Sequence, residues 1–186
     1  PAQQPANNGA PGAPITFQVY PGHSVTIQYD PSETDRGPLI GSYTRDYIIW
    51  DGFIIVETDQ NNHQDTGPIV IFGESYDSAQ NVTLKNLDVR GLQATVSPPG
   101  ENHNSIRIEQ ADYATIENNK IHGIRGEFHN HAAIMTYFSH NITIQKNEIY
   151  NSYTGIYIKG GPAEIESEFI VRDNLIHDIN IGIRTS

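Results

Sequence analysis

The 186-residue sequence contains no cysteine. Disulfide scaffolds, thiolate metal centres and cysteine nucleophiles are therefore excluded. Basic residues are scarce, with 11 Lys and Arg against 22 Asp and Glu, giving a formal net charge of −11. That balance argues against binding nucleic acid, whose phosphates need Lys and Arg to neutralise them. It also disfavours docking on anionic lipid. Mean hydropathy is −0.48. No apolar run approaches the ~18 residues that would cross a bilayer as a helix, so no membrane insertion is expected. The strong helix formers Ala, Leu, Lys and Met are sparse, and Met and Trp occur once each. Ile, Thr, Tyr, Asn and Gly take their place. The β-branched and aromatic residues favour strands, and Asn and Gly favour turns.

What the sequence does have is a repeat. Val82-Thr83-Leu84-Lys85-Asn86-Leu87-Asp88-Val89 returns as Ala114-Thr115-Ile116-Glu117-Asn118-Asn119-Lys120-Ile121 and as Ile142-Thr143-Ile144-Gln145-Lys146-Asn147-Glu148-Ile149. Ile48 to Ile55 and Phe169 to Ile176 are further copies. Equivalent positions are Trp50, Leu84, Ile116, Ile144 and Val171, separated by 34, 32, 28 and 27 residues. A second strand family travels with the first: Pro68–Phe72, Ser105–Glu109, Ala133–Tyr137, Gly155–Lys159 and Gly182–Ser186. A period of this length built from strands and turns predicts a solenoid, because one coil cannot bury its apolar residues alone. Successive coils then form parallel sheets, with neighbouring strands about 4.8 Å apart. Asn119, Asn147 and Asn174 align at one turn position. Asn tolerates the left-handed conformation, and stacked amides can bond from coil to coil, so these residues read as structural.

Asn141-Ile142-Thr143-Ile144, then Asn147-Glu148-Ile149-Tyr150-Asn151, then Thr154-Gly155-Ile156-Tyr157-Ile158-Lys159-Gly160 resemble the repeat of pectate-lyase-like parallel β-helix proteins. Gly12 to Gly22, an apolar strand closed by Tyr20-Pro21-Gly22, is similar to the opening coil of alginate-lyase- and chondroitinase-B-like members. The resemblance spans roughly residues 12 to 186. It implies an all-β, right-handed, single-stranded parallel β-helix over 13–186, after an irregular segment over 1–12; the ends of this sequence read as lacking the terminal caps such proteins usually carry. It also implies a secreted or cell-surface protein that binds or processes polysaccharide. Chain ends at Pro1 and inside a strand at Ser186 predict a piece of a longer chain. The alternative is end-to-end self-association, as in a non-catalytic filament or sheath subunit.

Alternation along the second strand family turns Ile106 and Ile108 inward and Arg107 and Glu109 outward. The outward columns then read Val70, Arg107, Met135, Tyr157, Arg184 and Phe72, Glu109, Tyr137, Lys159. A third, ahead of the strand, reads His103, His131, Tyr153, Asn180. Together they predict one patch of His, Arg, Lys and Tyr on an acidic protein. Such a patch suits β-elimination of a uronic-acid polysaccharide, which needs a base for the proton beside the carboxylate and a cation for the developing enolate. Lys159 or His131 is the candidate base, Arg107 the charge stabiliser and Tyr137 the proton donor. His103, Glu109, Tyr153, Tyr157 and Arg184 are candidate substrate-binding residues. Asn104-Ser105-Ile106-Arg107-Ile108 is similar to the Ile-Arg-Ile strand of alginate lyases, although those enzymes carry Lys-Ser where this chain has Tyr137-Phe138. The loops Ser97–Asn102 and Glu127–Asn130 are expected to feed the patch. Calcium is compatible with the acidic run Asp59–Asp65, which lacks EF-hand spacing. His103 and His131 are also a candidate transition-metal pair. His122 and His177 share a column with Arg90 and Tyr150 and read as exposed stacking residues.

Overall fold

A computed structural model describes residues 3–29, 38–57, 67–74, 79–91, 103–124, 130–160 and 168–186. Six coils of three strands follow one another. Coil 1 holds β1 (Ile15–Gln18), β2 (Thr26–Gln28) and β3 (Ile40–Tyr43); coil 2 holds β4 (Ile48–Asp51), β5 (Ile54–Val56) and β6 (Ile69–Phe72). Coil 3 holds β7 (Thr83–Lys85), β8 (Asp88–Arg90) and β9 (His103–Glu109); coil 4 holds β10 (Thr115–Glu117), β11 (Lys120–His122) and β12 (His131–Tyr137). Coil 5 holds β13 (Ile142–Gln145), β14 (Glu148–Tyr150) and β15 (Thr154–Lys159); coil 6 holds β16 (Phe169–Arg172), β17 (Leu175–His177) and β18 (Ile181–Thr185). No helix occurs among the described residues, and residues 3–14 contribute only isolated bridges such as Gln3 to Ile40.

Each strand pairs in parallel with its counterpart one coil away, giving three six-stranded sheets. The repeat alignment is the register. Trp50 pairs with Leu84, Leu84 with Ile116, Ile116 with Ile144 and Ile144 with Val171. Each eight-residue repeat is bent into two strands, so the sequence's first family supplies two sheets rather than one.

The bend has a clear cause. The residue after each first-sheet strand from β4 on has positive φ: Gly52, Asn86, Asn118, Lys146 and Asp173. The left-handed residue therefore precedes the aligned asparagines, correcting the expectation that they adopt it. Asn119, Asn147 and Asn174 serve through their side chains. Asn147 Oδ1 accepts from the Asn119 backbone N–H and from Asn119 Nδ2, both at 3.0 Å. Asn147 Nδ2 donates to the Ile116 carbonyl and to Asn174 Oδ1, both at 2.9 Å. Backbone groups that the turn removes from the sheets are satisfied inside the solenoid by the neighbouring coil.

Inside, aliphatic columns stack along the axis. Ile55, Val89, Ile121 and Ile149 line the second sheet, while Ile69, Ile106, Ile134 and Ile156 line the third, all fully or nearly fully buried. Each such side chain contributes roughly 1.5–3 kcal/mol by leaving water. Phe17 stacks on Trp50 at 4.3 Å between ring centroids, joining coils 1 and 2. Gly67 permits one close approach. A β-carbon there would lie 1.6 Å from the Asn104 carbonyl oxygen.

Candidate functional site

The third sheet carries the longest strands and most of the chemistry-bearing side chains. Its outer face holds two rows, each set by parallel pairing. One runs Val70, Arg107, Met135, Tyr157, Arg184, and the other Tyr43, Phe72, Glu109, Tyr137, Lys159. Both match the expected columns, with Tyr43 added from coil 1. Their accessibility differs. Met135 and Tyr157 are almost fully buried, in a small apolar cluster with Ala132. Tyr43, Phe72, Glu109, Tyr137 and Lys159 are partly exposed. The open surface is thus one row wide, with Arg184 beside its coil 6 end.

Charge along this row is unevenly compensated. Arg107 Nε donates to Glu109 Oε2 at 2.8 Å, and Arg107 Nη1 reaches Met135 Sδ at 3.7 Å. The Arg107 side chain is 9% exposed and the Glu109 side chain 22%, so the carboxylate is the half of the pair that faces out. Tyr137 lies between two cations, with the Arg107 guanidinium 5.8 Å and Lys159 Nζ 5.2 Å from its ring centroid. The Arg184 guanidinium sits 5.2 Å from the Tyr157 ring, whose hydroxyl is 3.0 Å from Ser186 Oγ. Among the described residues, neither Lys159 nor Arg184 has an acidic partner. At the other end, burial raises the Tyr43 phenol above its ordinary pKa, and the Glu109 charge adds to the rise.

His103 and His131 are elsewhere, which corrects the expectation of a single outward patch. They begin β9 and β12 rather than precede them, and pair one coil apart. Both are buried, His131 to 1% exposure. His103 Nε2 lies 3.0 Å from Glu57 Oε2, and the two imidazoles meet edge-on at 6.3 Å. Glu57 follows inward Ile55 by two residues, so alternation brings it to the same interior side. The imidazoles therefore meet a carboxylate inside the corner between the second and third sheets. His131 is six residues from Tyr137 on one extended strand, about 20 Å away, and cannot share a reacting centre with Lys159. Tyr153 lies at the same corner, its backbone N–H donating to the Ile124 carbonyl.

The candidate set thus divides in two. Arg107, Glu109, Tyr137, Tyr157, Lys159 and Arg184 share the outer face. His103, His131 and Tyr153 gather at the corner. Sequence reasoning missed Glu57, which lies outside the second strand family, and Tyr43, whose strand Ile40-Gly41-Ser42-Tyr43 parallels Ile69-Val70-Ile71-Phe72. The acidic run Asp59–Asp65, the loop Ser97–Asn102 and Glu127–His129 lie outside the described residues. Among the described residues, no group of three or more His, Asp or Glu is arranged to hold a metal ion.

The second sheet presents a different surface. His122, Tyr150 and His177 stack as parallel rings at 4.8 and 5.1 Å. Burial pushes the Asp88 carboxyl up, but hydrogen bonds from Arg90 and His122 outweigh it and leave the pKa below its ordinary value. His177 is raised by its hydrogen bond to Asp178, with Glu148 adding to the effect. These rings hide their faces against one another, so this column packs the solenoid rather than offering a platform.

Residues 104–186 match the family model of a right handed beta helix region. With the three parallel sheets, the match makes the fold an all-β, right-handed parallel β-helix. No curated protein and no solved structure matches the chain. The partial match and the fold together suggest a β-helix domain of the polysaccharide-related or structural kind.

Proposed function

We propose that this β-helix domain binds an acidic polysaccharide along the outer face of its third sheet, at the cell surface or after secretion. One observation carries the reading. Lys159 and Arg184, on adjacent coils, each rest on a tyrosine ring and have no acidic counter-ion among the described residues. On a chain with a net charge of −11, two uncompensated cations on one surface favour an anionic ligand. The partly exposed Tyr137 beside Lys159 offers apolar contact to the ring of a sugar. The resemblance to polysaccharide lyases points to the same ligand class. It adds a chemistry, elimination with Lys159 as base and Tyr137 as proton donor, both on this face.

Affinity electrophoresis through gels holding alginate, polygalacturonate, gellan or chondroitin sulfate tests binding. Ultraviolet absorbance of an unsaturated product, with and without calcium, tests elimination. Retardation by at least one polysaccharide is expected. Retardation without absorbance assigns a binding domain. No retardation by any of them removes the proposal and leaves the structural reading, a non-catalytic surface or filament element.

A further inference from the structure

The open row on the third sheet is polarised along the solenoid axis. At coils 1 and 2 it presents Tyr43 and Phe72, with ring centroids 5.8 Å apart. At coil 3 it presents the Glu109 carboxylate, because Arg107 is the buried member of that pair. At coils 4 and 5 it presents Tyr137 and Lys159, with Arg184 beside it at coil 6. Glu109 and Lys159 are two coils apart in one row, about 10 Å at the inter-strand spacing. A pyranose ring in a chain advances by a distance close to one such spacing. A polysaccharide lying along the row therefore meets a change of environment nearly every sugar: cationic, then acidic, then aromatic.

We infer that Glu109 is a specificity-determining residue that rejects a sugar carboxylate at coil 3, so that the bound polysaccharide carries its acidic sugar over Lys159 and Arg184 and neutral sugars over Glu109, Phe72 and Tyr43. The inference rests on the proposed function and adds the ligand's charge pattern: spaced acid groups rather than a carboxylate on every sugar. Three facts support it. The Glu109 carboxylate is more than twice as exposed as the guanidinium that partners it. Burial first, and the Glu109 charge second, raise the Tyr43 phenol, so the carboxylate's field extends along the row to coil 1. Lys159 and Arg184, which have no acidic partner among the described residues, both lie on the far side of Glu109. A continuous polyuronate would press a carboxylate against Glu109, which costs free energy through like-charge repulsion.

The test compares wild type with Glu109→Gln on two probes by isothermal titration. Gellan spaces its glucuronate with neutral sugars, and polygalacturonate carries a carboxylate on every ring. Wild type is expected to prefer gellan. Glu109→Gln is expected to tighten polygalacturonate binding by about three-fold or more relative to gellan, a size typical of one partly exposed charge. The amide keeps an oxygen for Arg107, and an unchanged circular dichroism spectrum excludes a folding artefact. Equal or tighter wild-type binding to polygalacturonate, or no gain on that probe in the variant, overturns the inference while leaving polysaccharide binding intact. Loss of all binding in wild type overturns the proposed function instead.

Discussion

Replacing Asn147 with alanine tests the interior ladder at its centre. The side chain makes four hydrogen bonds, two as acceptor and two as donor, at 2.9 to 3.0 Å. Alanine removes all four. The Asn119 backbone N–H then loses its acceptor, and one amide hydrogen of Asn119 loses its own, both in a residue only 2% exposed. The other hydrogen of that amide keeps the Leu84 carbonyl at 3.0 Å. Two orphaned buried donors at roughly 1–3 kcal/mol each place the cost at about 3 kcal/mol, near the lower half of the range. That is a large share of the roughly 5–15 kcal/mol stabilising a typical domain. Asn118→Ala is the control. It keeps the ladder and alters only a left-handed residue, φ 54°, for a cost of about 1 kcal/mol. Urea unfolding followed by far-ultraviolet circular dichroism reads both. Because solenoid coils are held by their nearest neighbours, coils 5 and 6 should loosen first in Asn147→Ala, lowering the apparent m-value. A loss below about 1 kcal/mol, or a larger loss in Asn118→Ala, would show that the ladder is not what closes the bend.

Three further outcomes are expected. Gly67→Ala should lose several kcal/mol by the same unfolding assay, since its β-carbon would overlap the Asn104 carbonyl; an unfolding midpoint like wild type would refute that close approach. In an NMR titration, His177 should change protonation above the ordinary histidine value, and Asp178→Asn should bring it down; the raised folded pKa means the contact stabilises fully at pH below about 6.5 and fades as pH rises through the folded value. Asp88 should show the opposite sense, protonating below the ordinary aspartate value, with its stabilisation present at neutral pH and lost on acidification through that lowered pKa; Arg90→Ala should shift the transition upward, and an unmoved transition would contradict the assigned cause.

The architecture was readable because the repeat is a register. Aligning Leu84 with Ile116 and Ile144 names residues that pair in space, since each coil stacks one step along the axis. The same logic placed Arg107 beside Met135 and Tyr137 beside Lys159. Coil 1 was harder to see. Thr26-Ile27-Gln28 and Ile40-Gly41-Ser42-Tyr43 each hold few apolar residues, and Gly41 and Ser42 dilute the alternation that marks a strand. The candidate site was misjudged at its histidines for a related reason. Repeat alignment gives the His103 column its spacing along the axis but not the side of the sheet it faces. Near Ala132 and Ala133, however, inner and outer sides change out of step: Ala132 joins the outer cluster while Ala133 and Ile134 both enter the core. No residue type signals such a corner. Glu57 was invisible for a different reason, because its partner is 46 residues away and on another sheet.

The central claim is that Lys159 and Arg184 hold an anionic polysaccharide on the third sheet. Isothermal titration of wild type and of the Lys159→Ala/Arg184→Ala double variant with one retained polysaccharide, at low and at high salt, addresses it directly. The account predicts wild-type affinity that weakens as salt rises. It also predicts at least about ten-fold weaker binding in the double variant at low salt, from the loss of two charge contacts of about 0.7 kcal/mol or more each. Equal affinity in the two proteins, or wild-type binding insensitive to salt, would contradict it.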